Sequence, residues 1–475
     1  MPRKPLPFFE NVTIIDAGAE GKAIARVNDM VIFVPFVVPG DIVDIQVVSK
    51  RKSYSEGRAV KFHSYSELRV DPFCKHFGTC GGCRWQNMSY LQQLKFKQKQ
   101  VFDHFTRIGK FDFPEIQPII ASELEQGYRN KLEYTFSDRR WLDASDMALP
   151  IEERQIKALG FHIPQLFDRV LDIEHCYHQP EPSNKIRLAI RDFTISRNWP
   201  FYNPRNHEGF MRNIILRNTL AGEWMLIVVF AYNAEEEIAD LMNYLQTEFP
   251  EITSLMYCVN TKHNDVITDQ EILLWNGLPY ITETMPSAEK GLPNLKFRIG
   301  PVSFYQTNPM QAFNLYKTAF EFAELKGYEL VYDLYCGTGT ITNFVAPFAS
   351  KVVGVEYVEQ AIDDAHINSD INSISNTMFY SGDMAKVLNE DFITQNGRPD
   401  VVITDPPRSG MHEDVIKQLL RIEAEKIVYV SCNPATQARD IALLGAKYKV
   451  TRVQPVDMFP HTHHVENVAQ LSLIK

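Results

Sequence analysis

No uninterrupted apolar run in this 475-residue chain approaches the roughly 18–20 residues a transmembrane helix needs. The first residues, MPRKPLPFFENVTIID, carry a basic start but lack the apolar core of a secretory signal, which points to the cytoplasm. Cysteine is scarce: Cys74, Cys80, Cys83, Cys176, Cys258, Cys336 and Cys432 make seven, an odd number. Three of them fall within ten residues, which in a cytosolic chain reads as metal or redox chemistry rather than a disulfide framework. Net positive charge is lacking as well. Against 59 Asp+Glu stand 49 Lys+Arg, a formal charge of −10, which on its face argues against a nucleic-acid binder. The balance is uneven, because residues 1–115 hold 17 Lys+Arg and 12 Asp+Glu, so any nucleic-acid contact leans on the N-terminal part and on local patches. There is no repeat of fixed period and no long low-complexity stretch, which excludes a solenoid.

What is present is ordinary for a soluble globular protein: 45% hydrophobic and 23% charged residues, with length for two to four domains. Residues 10–62 read as five short strands (NVTIIDAG, KAIARVND, MVIFVPFV, DIVDIQVVSK, EGRAVKFH) punctuated by Gly18, Gly21, Pro39-Gly40 and Gly57. Five strands at that spacing predict a small closed or nearly closed barrel. Lys50, Arg51, Lys52, Arg58 and Lys61 cluster near its end with Tyr54 among them, a mixture that suits an oligonucleotide or, more plainly, a charged loop. A cysteine-rich loop follows over 71–90. Residues 90–108 then predict a helix with an apolar stripe of Tyr90, Leu94, Val101, Phe105 and Ile108.

From about 128 to 300, strand-like segments alternate with a few helices, the pattern of an α+β domain. From about 310 the rhythm changes. ELVYDLYC, KVVGVEYV, DVVITDPP and KIVYVSCN are near-continuous apolar runs ending in polar loops, the mark of parallel strands buried on both faces. This predicts a doubly wound α/β domain with its ligands at the C-terminal ends of the strands.

Those strand ends carry the chemistry. The first ends in Asp333-Leu334-Tyr335-Cys336-Gly337-Thr338-Gly339-Thr340, where two glycines let the backbone pass close to a ligand just before a helix. The third glycine of a dinucleotide fingerprint is missing. Glu356, 19 residues after Gly337, is placed to bind ribose hydroxyls, and a carboxylate beside this loop suits S-adenosylmethionine better than a pyrophosphate. In Asp405-Pro406-Pro407-Arg408 the two prolines hold Asp405 rigidly, and Arg408 stands where amino-methyltransferases often carry an aromatic. Cys432, in Val430-Ser431-Cys432-Asn433-Pro434, faces the ligand crevice and reads as a nucleophile. Near the C-terminus, His461, His463 and His464 match no trusted metal spacing, whereas Glu466 reads as a general base or acid near the same edge. Cys74, Cys80 and Cys83 need a fourth ligand for either a cubane cluster or tetrahedral zinc. Cys176 is the candidate, with His76 and His175 as alternatives, and spacing does not separate iron–sulfur from zinc.

Taken together, these residues resemble the RNA uridine C5-methyltransferase family, in particular its branch that modifies 23S rRNA. The resemblance runs through essentially the whole chain. It implies an OB-like TRAM barrel over 1–62, an α+β central domain with an iron–sulfur cluster over 63–300, helix 90–108 packing on the catalytic domain, and a Rossmann-like methyltransferase domain over 301–475. By the same resemblance, Cys74, Cys80, Cys83 and Cys176 match [4Fe–4S] ligands, here expected to be structural. Ser303-Phe304-Tyr305-Gln306-Thr307-Asn308 matches the motif opening the catalytic domain. Gln306, Tyr335, Thr340, Glu356, Asp383 and Asp405 match cofactor positions, beside Asp333, Gly337 and Gly339 of the loop. Thr340 replaces the Asn of some members, and Asp383 stands where the family carries Asn or Asp. Cys432 matches the nucleophile and Glu466 the proton-abstracting base, with Asp405 and Gln306 holding the pyrimidine. The implied reaction is methylation of a flipped uridine in looped or single-stranded RNA by a monomer. A tRNA uridine is the alternative substrate, and a noncatalytic RNA-binding or assembly factor is the alternative class.

Overall fold

The computed structural model describes residues 5–474; the basic start Met1–Lys4 and the final Lys475 lie outside the described residues. β1 (Phe8–Ala17), β2 (Ala23–Val27), β3 (Met30–Val34), β4 (Ile42–Lys50) and β5 (Ser55–Ser64) close into a barrel in the order β1-β2-β3-β5-β4. Alternate residues, among them Ile14, Ala25, Ile32, Val43 and Ile45, fill its interior. Register shifts in β1–β2, β1–β4 and β4–β5 bend the strands enough for so short a sheet to close. At Gly57 a Cβ would lie 2.5 Å from Ile45, so β5 needs glycine where it crosses the core.

α1 (Tyr90–His104) follows the cysteine loop and runs on into a single π turn, Phe105–Gly109. Its buried face differs from the predicted stripe. Gln93, Lys97, Val101 and Phe105 point inward, whereas Ile108 is exposed. The cause is that two polar side chains find partners in the last forty residues of the chain. Val101 and Phe105 join the core of the C-terminal domain.

The central domain contains β6 (Lys131–Ser137), α2 (Ala144–Ala148), β7 (Ala158–His162), β8 (Val170–Asp172), α3 (Ser183–Ser196), β9 (Met211–Asn218), β10 (Trp224–Phe230), α4 (Glu235–Glu248), β11 (Ile252–Val259) and β12 (Ile272–Gly277). The sheet order is β12-β11-β10-β9-β6-β7-β8. The β10–β11 pair is parallel, joined through α4, and the other pairs are antiparallel. α3 and α4 cover one face. Ile215, Met225, Ile227, Val229 and Met256 on the other face enter the core of the C-terminal domain, which is why β9 and β10 are buried at every position. A ribbon of β13 (Ile281–Met285) and β14 (Leu295–Ile299) packs into that same core.

The C-terminal domain runs α5 (Pro309–Ala323), β15 (Leu330–Leu334), α6 (Thr340–Val345), β16 (Lys351–Glu356), α7 (Glu359–Ile371), β17 (Thr377–Ser381), α8 (Met384–Val387), α9 (Glu390–Asn396), β18 (Val401–Thr404), α10 (Glu413–Ile422), β19 (Lys426–Ser431), α11 (Pro434–Leu444), β20 (Tyr448–Val456) and β21 (Glu466–Leu473). The order β17-β16-β15-β18-β19-β21-β20 makes five parallel strands plus an antiparallel hairpin. The strand order reverses beside β15, so a crevice opens at the ends of β15, β16, β18 and β19. Among the described residues no helix is long and apolar enough to cross a membrane.

Candidate active site

The loop after β15 is shaped by backbone conformations most side chains avoid. Tyr335, Gly337 and Gly339 all have positive φ, at 63°, 54° and 74°. At Gly339 a Cβ would press to 3.0 Å on Ala365, so glycine is required for α6 to start there. Glu356, at the end of β16, holds the loop with one oxygen, Oε2 accepting from Gly337 N at 3.1 Å, while Oε1 accepts from Tyr357 N and Val358 N just after its own strand. Asp333 accepts from the Thr342 hydroxyl at 2.6 Å, while its other oxygen is buried with no donor on it. Burial, with the Glu356 charge nearby, lifts Asp333 to about 7. Thr340 Oγ1 meets the Tyr316 hydroxyl at 3.2 Å. Burial, then the charges of Asp440, Asp383 and Glu356, raise Tyr335 to about 12. An acidic pair beside a helix N-terminus, with one oxygen free, suits the ammonium and ribose hydroxyls of S-adenosylmethionine. Asp383 departs from this picture: it is exposed and caps α8, accepting from Ala385 N at 3.0 Å.

At the other side of the crevice, β19 and β21 pair antiparallel with Ser431 opposite Asn467. Cys432 directly follows Ser431 at the end of β19, and Glu466 directly precedes Asn467 at the start of β21, so both stand at this edge of the sheet. Asp405 enters from the end of β18. The three groups repel as anions. Burial, then the Glu466 and Asp405 charges, push the Cys432 thiol to about 12. Burial, then Asp405, lift Glu466 to about 8. Burial, then Asp333, lift Asp405 to about 7. Arg408 is the cation that opposes this at both Cys432 and Glu466. Its loop is fixed, since the Arg408 carbonyl accepts from Asn433 Nδ2 and the Thr436 hydroxyl at the start of α11. Asp440 braces the same loop through Met411 N and the Tyr429 hydroxyl.

Gln306 is buried beside α5. Its carbonyl accepts from Asn130 Nδ2 at 3.0 Å, and Thr307 O accepts from Asn130 N. The buried Arg217 of β9 donates to Gly300 O, Pro301 O and Ser303 O, so the central sheet anchors the segment leading into Gln306. A cavity of about 850 Å³ lies where three domains meet, lined by Lys22 and Phe36 of the barrel, Arg84, Trp141, Arg408 and His464, among others. Cations and aromatics at a junction ending on Arg408 fit a nucleic-acid strand.

The cysteines gather elsewhere. Cys74, Cys80, Cys83 and Cys176 line a single cavity of about 460 Å³. Burial raises Cys80 to about 11 and Cys83 to about 12, and the other cysteines add to both shifts. Among the described residues, no three His, Cys, Asp or Glu side chains are grouped so that they could hold a metal ion. His178, which sequence reasoning missed, meets Cys83 Sγ at 2.8 Å, while His76 accepts from Glu174 N.

Comparison with known proteins identifies the family. Residues 218–473 match the tRNA (Uracil-5-)-methyltransferase family, and residues 10–60 match the TRAM domain. A protein of Bacteroides thetaiotaomicron named an uncharacterized RNA methyltransferase is 54% identical over 458 residues, 96% of this chain and 99% of the relative. One of the same description from Chlorobaculum tepidum is 37% identical over 469 residues, covering 96% and 95%. The solved structure of Pyrococcus abyssi tRNA (uracil-54, C5)-methyltransferase with S-adenosyl-L-homocysteine is similar at a TM-score of 0.73 and 28% identity, over 97% of this chain and 100% of that one. The chain therefore belongs to the tRNA (uracil-5-)-methyltransferase family, S-adenosylmethionine-dependent enzymes that methylate uracil C5 in RNA.

Proposed function

We propose that this enzyme methylates C5 of a uridine in 23S rRNA through a covalent bond from Cys432 to C6, giving 5-methyluridine. The observation that carries the reading is the gathering of Cys432, just after β19, Glu466, at the start of β21, and Asp405, just after β18, at one edge of the sheet. Uracil C5 is a poor nucleophile. Addition of the Cys432 thiolate at C6 makes C5 enolate-like. S-adenosylmethionine, when bound, supplies the methyl group that C5 takes. Glu466 then removes the C5 proton, the C5–C6 double bond re-forms, and the thiolate leaves. Asp405 and Gln306 hold the pyrimidine and its developing charge. Gln306, Asp333, Tyr335, Gly337, Gly339, Thr340, Glu356, Asp383 and Asp405 form the cofactor site in this reading. The target base has to leave its stack to reach the thiol, so base flipping is required, and the cavity bounded by Lys22, Arg84 and Arg408 takes the flanking strand.

The charge needed to expose Cys432 as thiolate is opposed by Glu466 and Asp405 and favoured by Arg408. The Glu466 charge disfavours the thiolate, so the two groups titrate as a unit. Cys74, Cys80, Cys83 and Cys176 are proposed to hold a [4Fe–4S] cluster with a structural role, tying the loop at 74–83 to the central sheet.

The TRAM barrel together with four clustered cysteines favours ribosomal RNA. A tRNA uridine is the second reading, favoured by the full-length similarity to the archaeal tRNA enzyme. Labelled methyl transfer to unmodified 23S rRNA and, separately, to bulk tRNA decides between them. The reading predicts 5-methyluridine in one 23S fragment. Label confined to tRNA would leave the chemistry and overturn the substrate.

A further inference from the structure

We propose that Gln93 and Lys97 of α1 are positioning residues that set Glu466 against the target uridine by clamping the segment 457–461. This rests on the reading of Glu466 as the base. Both side chains are fully buried, yet neither lies on the methyltransferase sheet. Lys97 Nζ donates to Asp457 Oδ1 at 2.6 Å and to Phe459 O at 2.9 Å. Gln93 holds His461 twice: Oε1 accepts from His461 N at 2.8 Å, and Nε2 pairs with His461 Nδ1 at 3.1 Å. His461 O accepts from Arg84 N and Trp85 N, directly after the cysteine loop. The same amide of Gln93 donates to Trp85 O and Met88 O, so one side chain ties that loop to His461.

His461 sits at φ 64°, a left-handed conformation that persists in a non-glycine residue only when its surroundings over-determine it. Other donors secure the neighbouring carbonyls, namely Tyr128 at Pro460, Asn308 at Met458 and Gln311 at Asp457. Beyond His461, Thr462 binds back to Phe459 O and receives His464 N, and two residues later β21 begins at Glu466. A buried ion pair adds little stability over an apolar pair of the same volume. What Lys97 and Asp457 do supply is one fixed point at the head of the turn that carries the base.

The variants Gln93→Ala and Lys97→Met/Asp457→Asn test this beside Glu466→Gln. Each is assayed for melting temperature, kcat, KM for both substrates, and covalent RNA–protein adduct on denaturing gels. A displaced base slows loss of the C5 proton after methyl transfer. The clamp variants are therefore expected to fold, to lose roughly 10–100-fold in kcat with the KM values falling alongside and kcat/KM far less affected, and to accumulate adduct as Glu466→Gln does. Adduct with Glu466→Gln but with neither clamp variant overturns the clamp and leaves the base standing. No adduct with Glu466→Gln overturns the base reading itself. If Gln93→Ala fails to fold, the double variant decides. Unfolding of both contradicts the proposal, because the residues then serve the fold alone.

Discussion

Cys432 directly follows Ser431, and Glu466 directly precedes Asn467, the last residues paired between β19 and β21. A thiol and a carboxyl 34 positions apart in sequence are thus brought to one edge of the sheet. β21 is also braced from outside the hairpin: Gln437 of α11 donates to Tyr429 O and Asn467 O and accepts from Asn467 Nδ2. The geometry of the pair is therefore a property of the sheet, and its electrostatics follow from burial.

The first consequence concerns pH. Glu466 acts as a base only when ionised, and burial with Asp405 nearby holds it at about 8. kcat/KM is expected to rise with pH more steeply below about 8, where Glu466 has to ionise, than above it, where only the Cys432 thiol, held at about 12, has still to lose its proton. Asp405→Asn removes the neighbouring negative charge and should move the break near 8 to lower pH, whatever it does to the maximal rate. A break that stays in place in that variant separates Asp405 from Glu466.

Stability is expected to respond in the opposite sense. With a folded value of about 8 against an ordinary 4.5, Glu466 keeps a proton that the unfolded chain releases. The folded state therefore loses stability as pH rises from about 4.5 to about 8, and no more above it. Glu466→Gln escapes that loss. Its melting temperature should match the parent near pH 4.5 and exceed it increasingly toward pH 8, by an amount worth a few kcal/mol at about 1.4 kcal/mol per tenfold change in proton affinity. A difference that does not vary with pH would contradict the buried, proton-holding carboxyl.

Much of this architecture was legible in the sequence, for physical reasons. Alternating residues between glycines marked the barrel strands, and continuous apolar runs such as KVVGVEYV marked parallel strands covered on both sides. The hairpin of β20 and β21 was not legible, because YKVTRVQPV and ENVAQLSL carry no signal of strand direction. Nor was the inward face of α1. Lys97 and Gln93 fall outside the apolar stripe, and their partners, Asp457 and His461, lie 360 and 368 positions away. Arg217 and His178 were missed for the same reason, being polar residues whose burial is decided by another domain. Asp383 shows the converse, a motif position whose carboxylate is occupied in capping its own helix.

Glu356 is predicted to act on the cofactor in two ways, by accepting ribose hydroxyls and by holding the Gly337 amide of the loop together with the two amides that follow β16. Glu356→Ala frees those amides as well as removing the acceptor. Affinity for S-adenosylhomocysteine, measured by calorimetry, should fall at least tenfold, about 1.4 kcal/mol. Unchanged affinity would move the ribose away from β16.

The cysteine cavity makes a compositional prediction. Anaerobically purified protein should carry iron and acid-labile sulfide in equal amounts, and Cys176→Ser should lose both along with some thermal stability. Stoichiometric zinc without sulfide would replace the cluster with a different metal.

The most direct test of the central claim follows the C5 hydrogen. RNA transcribed with uridine tritiated at C5 is given to the enzyme with S-adenosylmethionine, and tritium released to water is counted against methyl groups incorporated. The account predicts one tritium lost per methyl gained. Cys432→Ala should abolish both while still binding the cofactor. Methyl incorporation without tritium release, or turnover that survives loss of the Cys432 thiol, would contradict it.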